Sequence, residues 1–293
     1  MLATFELPGG FRVLELKGRV AVITGAGSGI GRAMAECFAT AGMHLALADV
    51  EAEALDETAR ALRERGCEVE AECLDVRDSA ALETLAERCF TRFGGAHVLC
   101  NNAGVASGGP VWEISEQDWD WVIGVNLVAV VHGIRAFVPR MIASGEPGHI
   151  VNTASIAGLT CPAFMSPYNV TKHAVVALSD TLRSDLSLSG AAIGVSVLCP
   201  GWVRTRIHES DRNHPSGETV DAGEELSALR ELVNGFIAGG IDPSVVAKQV
   251  RDAVMNDRFW IRTHPEMEPM VRKRCEAIIA GESPPPMLPT EIK

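Results

Sequence analysis

The chain has 293 residues, 47% of them hydrophobic and 22% charged. That is ordinary globular usage with enough apolar material for a sizeable core, and it excludes a dominantly disordered chain. The 26 basic and 38 acidic side chains leave a formal charge of −12, so no basic face for nucleic acid or anionic lipid is expected.

In chain order, residues 1–17 read as a short arm broken at Pro8-Gly9-Gly10. Val20–Thr24 is a near-continuous apolar run, as suits a parallel strand buried on both faces. Similar runs follow at 44–49, 69–74, 97–101, 149–153, 193–199 and 260–262. Between them lie helical patterns at 30–41, 52–64 and 80–92, the last with Asp78 or Ser79 as its cap. Ser115-Glu116-Gln117-Asp118 matches a capping box opening a long helix to about 143. Residues 167–188 form another helical stretch. Strict alternation of strand and helix predicts an α/β fold: one Rossmann-type, doubly wound domain with about seven parallel strands and helices on both faces. The domain would span 18–262. Residues 204–223 read as a mobile loop inside a substrate loop over 204–240, and 263–293 as a C-terminal helix and Pro-rich tail.

The longest apolar region, 121–138, is interrupted by Asn126, His132 and Arg135 and falls short of a clean membrane span. No secretory signal stands out, so a cytoplasmic location is expected. Eight cysteines show neither a CxxC pair nor zinc-like spacing with histidine. They read as buried free thiols in a reducing compartment, and no metal site is expected.

The first strand runs into Gly25-Ala26-Gly27-Ser28-Gly29-Ile30-Gly31 and then a helix. Glycines there let the backbone turn tightly and let a pyrophosphate approach the helix N-terminus; a tight turn without a ligand is the alternative. Asp49 follows roughly twenty residues on, where an acid can accept hydrogen bonds from the adenosine ribose and repel a 2′-phosphate. No basic residue adjoins it, and Ser28 stands where a base would meet that phosphate, so NAD is favoured over NADP. Asp49 could instead simply cap the helix beginning near Glu51.

These residues resemble the short-chain dehydrogenase/reductase family. Residues 24–31 look like its TGxxxGIG pattern, Asn101-Asn102-Ala103-Gly104 its NNAG, and Tyr168-Asn169-Val170-Thr171-Lys172 its YxxxK. Asn126, Ser155, Pro200-Gly201 and Thr205 fall at the family's further positions. Together the motifs cover about 18–262.

The resemblance implies hydride transfer between a nicotinamide and a carbinol carbon. Tyr168 would be the general acid/base, its phenol made more acidic by Lys172 one helical turn on. Ser155 would hydrogen-bond the substrate oxygen, and Asn126 would hold a water near Lys172; a mid-helix Asn can also serve only the backbone. Asp75 and Val76 would contact adenine. Asn101, Asn102, Ala103 and Gly104 would floor the cofactor site, although Asn101 could instead tie strands together. Pro200, Gly201, Val203 and Thr205 would hold the nicotinamide amide. Tyr168 is the chain's single tyrosine.

Substrate contacts are expected from Ser107, Ser155, Ala157, Cys161 and Trp202, with Ala106, Ile156, Pro162, Phe164, Ile207 and His208 nearby. This apolar set suggests a hydrophobic secondary alcohol or ketone, cyclic and aryl-bearing ones included. Arg204, Arg206, His208, His214 and His264 read as solvated, with His264 also fitting a helix start. A homodimer or homotetramer follows by resemblance. The alternatives are an NADPH-dependent ketone or 3-oxoacyl reductase and a catalytically silent NAD-binding sensor.

Overall fold

The computed structural model describes residues 15–216, 223–284 and 286–288. Its elements are β1 (Val20–Thr24), α1 (Gly29–Thr40), β2 (His44–Asp49), α2 (Ala52–Glu64), β3 (Val69–Cys73), α3 (Ser79–Phe93), β4 (Val98–Asn101), α4 (Glu116–Ile123), α5 (Ala129–Ser144), β5 (Gly148–Thr153), α6 (Ser166–Ser189), β6 (Ile193–Cys199), α7 (Gly223–Ala238), α8 (Pro243–Met255), β7 (Trp260–Arg262) and α9 (Glu268–Ala280). The strands form one parallel sheet in the order β3-β2-β1-β4-β5-β6-β7. This is the doubly wound fold the sequence predicts. The strand order reverses between β1 and β4, so a crevice opens beyond their carboxyl ends, where such folds hold ligands.

Alternate side chains of each central strand leave opposite faces of the sheet. One set packs Ile23, Leu45 and Leu47 against Met34 and Phe38 of α1 and Val250 of α8. The other packs Val22, Leu99 and Ile150 against Leu82 and Leu85 of α3 and Phe137 of α5. β3 lies at the sheet edge, and its Glu70 and Glu72 pair with Arg88 and Arg92 of α3. Asp78 caps α3, accepting from the amides of Ala80 and Ala81, and Ser115 caps α4, accepting from the amide of Asp118.

The helix expected from 115 to 143 is continuous but not uniform. A π-helical turn over Gly124–Val128 separates α4 from α5, and Asn126 sits in it. The whole run Glu116–Ser144 is long and apolar enough to cross a membrane by length and composition. Yet 56% of its apolar window is buried inside the protein, as in a core helix.

Three expectations need correction. The segment 204–223 read as an irregular loop contains a 3-10 turn at Ile207–Asn213, and its Arg206 and Arg212 both pair with Glu51 across the cleft. Its continuation is α7, and the sequence reading also passed over α8, although Asp242 caps α8 and Pro243 opens it. Only Cys89, Cys100 and Cys199 are buried; Cys73, Cys161 and Cys275 are exposed, and all eight thiols are free. The proposed arm lies largely outside the described residues, as do Pro285 and Pro289 of the tail.

Candidate active site

One cleft opens at the carboxyl ends of the central strands, and it runs from Asp49 and Asp75 at one end to Trp202 and Ile237 at the other. Its floor is the turn from β1 into α1. Gly25 takes a positive φ of 67°, and a Cβ there would come 2.9 Å from Ala103 Cα. At Gly31 a Cβ would lie 2.0 Å from the Gly25 carbonyl oxygen. No side chain caps α1, and its first turn carries no acidic residue. The leading amides at Gly29, Ile30 and Gly31 are therefore free to meet an anion, as a dinucleotide pyrophosphate requires.

Asp49 ends β2 and is 9% exposed. Its Oδ2 accepts from the Gly27 amide (2.8 Å) and its Oδ1 from the Glu51 amide (2.9 Å). The carboxylate thus anchors both the glycine turn and the start of α2 while lining the cleft. Ser28 lines the same lip. Asp75 and Val76 lie beside it after β3. Arg77 folds back to bind the Asp75 carboxylate, holding that acid below its usual range despite burial that pushes the other way.

Beyond β4, Asn102 donates to the Thr24 carbonyl (3.0 Å), and Ala103 and Gly104 line the cleft. Asn101 does not join them. It is buried behind the sheet, where it donates to Asn152 (2.9 Å), which donates to Ser179 (3.0 Å). This is the strand-tying alternative.

Ser155, Tyr168 and Lys172 come together at the middle of the cleft. Ser155 follows β5 and caps a 3-10 turn, accepting from the Ala157 amide (3.1 Å). Tyr168 opens α6, with Pro167 in the first turn. Burial raises its phenol above the ordinary value, and the neighbouring Ser155 hydroxyl pulls it back down. Lys172, one turn later, is 3% exposed. Its Nζ lies 5.5 Å from the Tyr168 ring centroid and donates to the Thr153 carbonyl (2.9 Å). Desolvation lowers its pKa to about 8.

Asn126 is fully buried. Its side chain clamps Val105, accepting from the amide and donating to the carbonyl, each at 2.9 Å, and reaches Thr171 at 3.3 Å. A side chain at Gly104 would meet Asn126 Oδ1 and Lys172 Nζ, each at 3.4 Å. The π-helical turn carries Asn126 to the backbone of Val105, on the stretch after β4, with Gly104 between it and Lys172.

At the far end Pro200, Gly201, Val203 and Thr205 line the wall after β6. Trp202 stacks on Phe236 of α7, with ring centroids 5.6 Å apart. Ala157 lines the cleft too, but two expected substrate contacts do not. Ser107 turns to Asp118 (3.2 Å), and Cys161 is exposed beside His173 (3.8 Å). Of the histidines read as solvated, His208 is exposed and the other two are not. His208 lines the cleft. The His214 side chain is 7% exposed, 3.6 Å from Asp118 and edge-on to Trp121. His264 is buried behind the wall. His214 and His264 are enclosed by elements remote in sequence, which loop composition does not reveal.

The sequence reading missed Trp121, Val125 and Met165, along with Val233 and Ile237 of α7, all of which line the cleft. The spacing of Val233 and Ile237 on one helical face was the available signal. Among the described residues no cluster of histidine, cysteine and carboxylate side chains is suited to a metal ion.

The chain is similar to known dehydrogenases along most of its length. The short chain dehydrogenase family model matches residues 19–216. A short chain dehydrogenase/reductase from Burkholderia phymatum, solved in complex with NAD, is 44% identical with a TM-score of 0.91, covering 94% of this chain and 99% of that one. The 1-deoxy-11-beta-hydroxypentalenate dehydrogenase of Streptomyces arenae is 38% identical over 277 residues, 93% of this chain and 92% of its own length. The C alpha-dehydrogenase of Sphingobium is 35% identical over 271 residues, 92% of this chain and 88% of its own. The chain belongs to the short-chain dehydrogenase/reductase family of oxidoreductases.

Proposed function

We propose that this enzyme interconverts a hydrophobic secondary alcohol and its ketone with NAD. The observation that carries the reading is the meeting of Ser155, Tyr168 and Lys172 in one cleft whose other half is an uncapped glycine turn with Asp49 at its lip. The Burkholderia relative's NAD complex supports the cofactor assignment. Asp49 would accept from the adenosine ribose and repel a 2′-phosphate.

Oxidised nicotinamide, when bound, supplies the hydride acceptor and a positive ring. Ser155 would donate to the substrate oxygen and hold it against the phenol. Tyr168 takes the carbinol proton in oxidation and returns it in reduction. Burial alone works against the phenolate, so the Lys172 ammonium is needed to favour it. Asn126 would hold a water near Lys172, on the other side of Gly104.

The substrate end is apolar, walled by Trp121, Val125, Ile156, Trp202 and Ile237. A bulky, hydrophobic alcohol fits such a wall, and the relatives are named as dehydrogenases, one of them of a hydroxy compound. Exposed apolar side chains at Val128, Val170 and Leu188 on the α4–α5 run and α6 suit self-association in a symmetric homo-oligomer.

The test is formation of reduced nicotinamide across a panel of hydrophobic secondary alcohols, with NAD and NADP run in parallel. Turnover with NAD that falls by ~10²–10⁴ in Tyr168→Phe is expected. Preference for NADP would overturn the Asp49 argument. Equal rates in the Tyr168→Phe protein would overturn the mechanism.

A further inference from the structure

His264 lies between β7 and α9, 8% exposed and outside the cleft lining. Its Nδ1 accepts from the Gly201 amide at 3.0 Å and lies 2.7 Å from Thr263 Oγ1. Its Nε2 lies 2.9 Å from the Trp202 carbonyl oxygen. A carbonyl only accepts, so these partners assign the ring proton to Nε2.

One imidazole therefore holds two peptide groups of the cleft wall. The Gly201 amide belongs to the peptide after Pro200, and the Trp202 carbonyl to the peptide before Val203. Both ends of the wall segment are fixed by the same ring. The contact is also tight. A Cβ at Gly201 would come 2.8 Å from His264 Cγ and 2.5 Å from Met267 Sδ, so the glycine backbone lies directly on this support.

We propose that His264 is a positioning residue: it sets the Pro200–Val203 wall against the nicotinamide end of the bound dinucleotide, without touching cofactor or substrate. The inference rests on the NAD reading above. It assigns the residues after β7 a part in orienting the reacting half of the cofactor. Orientation of that half governs hydride transfer, whereas the adenosine half is held at the opposite end by Asp49 and Asp75.

The experiment compares affinities for NAD and for ADP-ribose, which lacks the nicotinamide, in the full-length wild-type chain, His264→Leu and His264→Asn. Leucine fills the space without polar atoms; the asparagine oxygen restores an acceptor for the Gly201 amide. In the leucine variant NAD should bind about tenfold more weakly, because the freed wall must then be ordered as the nicotinamide docks, with ADP-ribose affinity unchanged. The asparagine variant should fall between leucine and wild type. A purely structural role would weaken both ligands alike, and an idle ring would weaken neither; either result overturns the proposal. If the leucine variant does not fold, the asparagine variant decides alone by the same criterion. A wild-type chain that binds neither ligand overturns the NAD reading itself.

Discussion

The Lys172 ammonium lies 5.5 Å from the centre of the Tyr168 ring and is held there by the Thr153 carbonyl at the end of β5. That link ties the helix carrying the phenol to the strand that leads into Ser155. It places a desolvated cation where its charge acts on the phenol, and desolvation brings its pKa from the ordinary 10.5 to about 8.

The lowered lysine value makes a prediction about stability. Below about pH 8 the ammonium is charged in both states, and its burial penalises the folded one. Between about 8 and 10.5 the folded state gives up the proton while the unfolded state keeps it, so this group's contribution to stability rises with pH. Urea midpoints of the wild type and Lys172→Met should therefore change relative to one another across that window, with the wild type gaining. Parallel midpoints from pH 7 to 10 would contradict the burial argument.

His149 makes the opposite edge of the pH range sensitive. It is 2% exposed, lies 2.7 Å from Ser196 Oγ, and has its pKa depressed by burial to about 3. Between the ordinary 6.5 and about 3 the unfolded chain takes up a proton that the folded chain refuses, so stability falls as pH falls. His149→Gln should lose less stability than the wild type between pH 7 and 5, as read from thermal melts.

Asp49 should decide cofactor choice. In Asp49→Ser the NAD/NADP ratio of kcat/KM should fall at least tenfold, or about 1.4 kcal/mol, because the carboxylate that would repel the 2′-phosphate is gone. A ratio is the right readout, since loss of the Gly27 contact will also slacken the glycine turn and lower both rates. An unchanged ratio would move cofactor selection elsewhere.

Gly31 and Gly235 should respond oppositely to alanine. At Gly31 the new Cβ would stand 2.0 Å from the Gly25 carbonyl oxygen and 2.7 Å from Asn102 Nδ2, so the turn must shift. Loss of NAD binding and destabilisation of about 1–3 kcal/mol or more are expected. At Gly235 nothing lies within 4 Å, and helix propensity alone should stabilise α7 by up to about 1 kcal/mol. Calorimetry with and without NAD distinguishes the two.

The sequence by itself determined the alternation of strands and helices, the glycine turn, Asp49 and the order of Ser155, Tyr168 and Lys172. These follow from local pattern: apolar runs for buried strands, glycine where the backbone must turn or pass closely, and a helical turn between phenol and amine. Only the tertiary structure decided which of two neighbouring asparagines faces the cleft, because the pleat of β4 sends Asn101 behind the sheet and leaves Asn102 at its end. It also decided that Ser107 and Cys161 turn away and that Glu51 ties down the segment after β6. His264, 63 residues from Gly201 in the chain, was beyond any local reading. A hydrogen bond between segments so far apart leaves no periodicity to read, and it forms only when β6 and β7 pair in register.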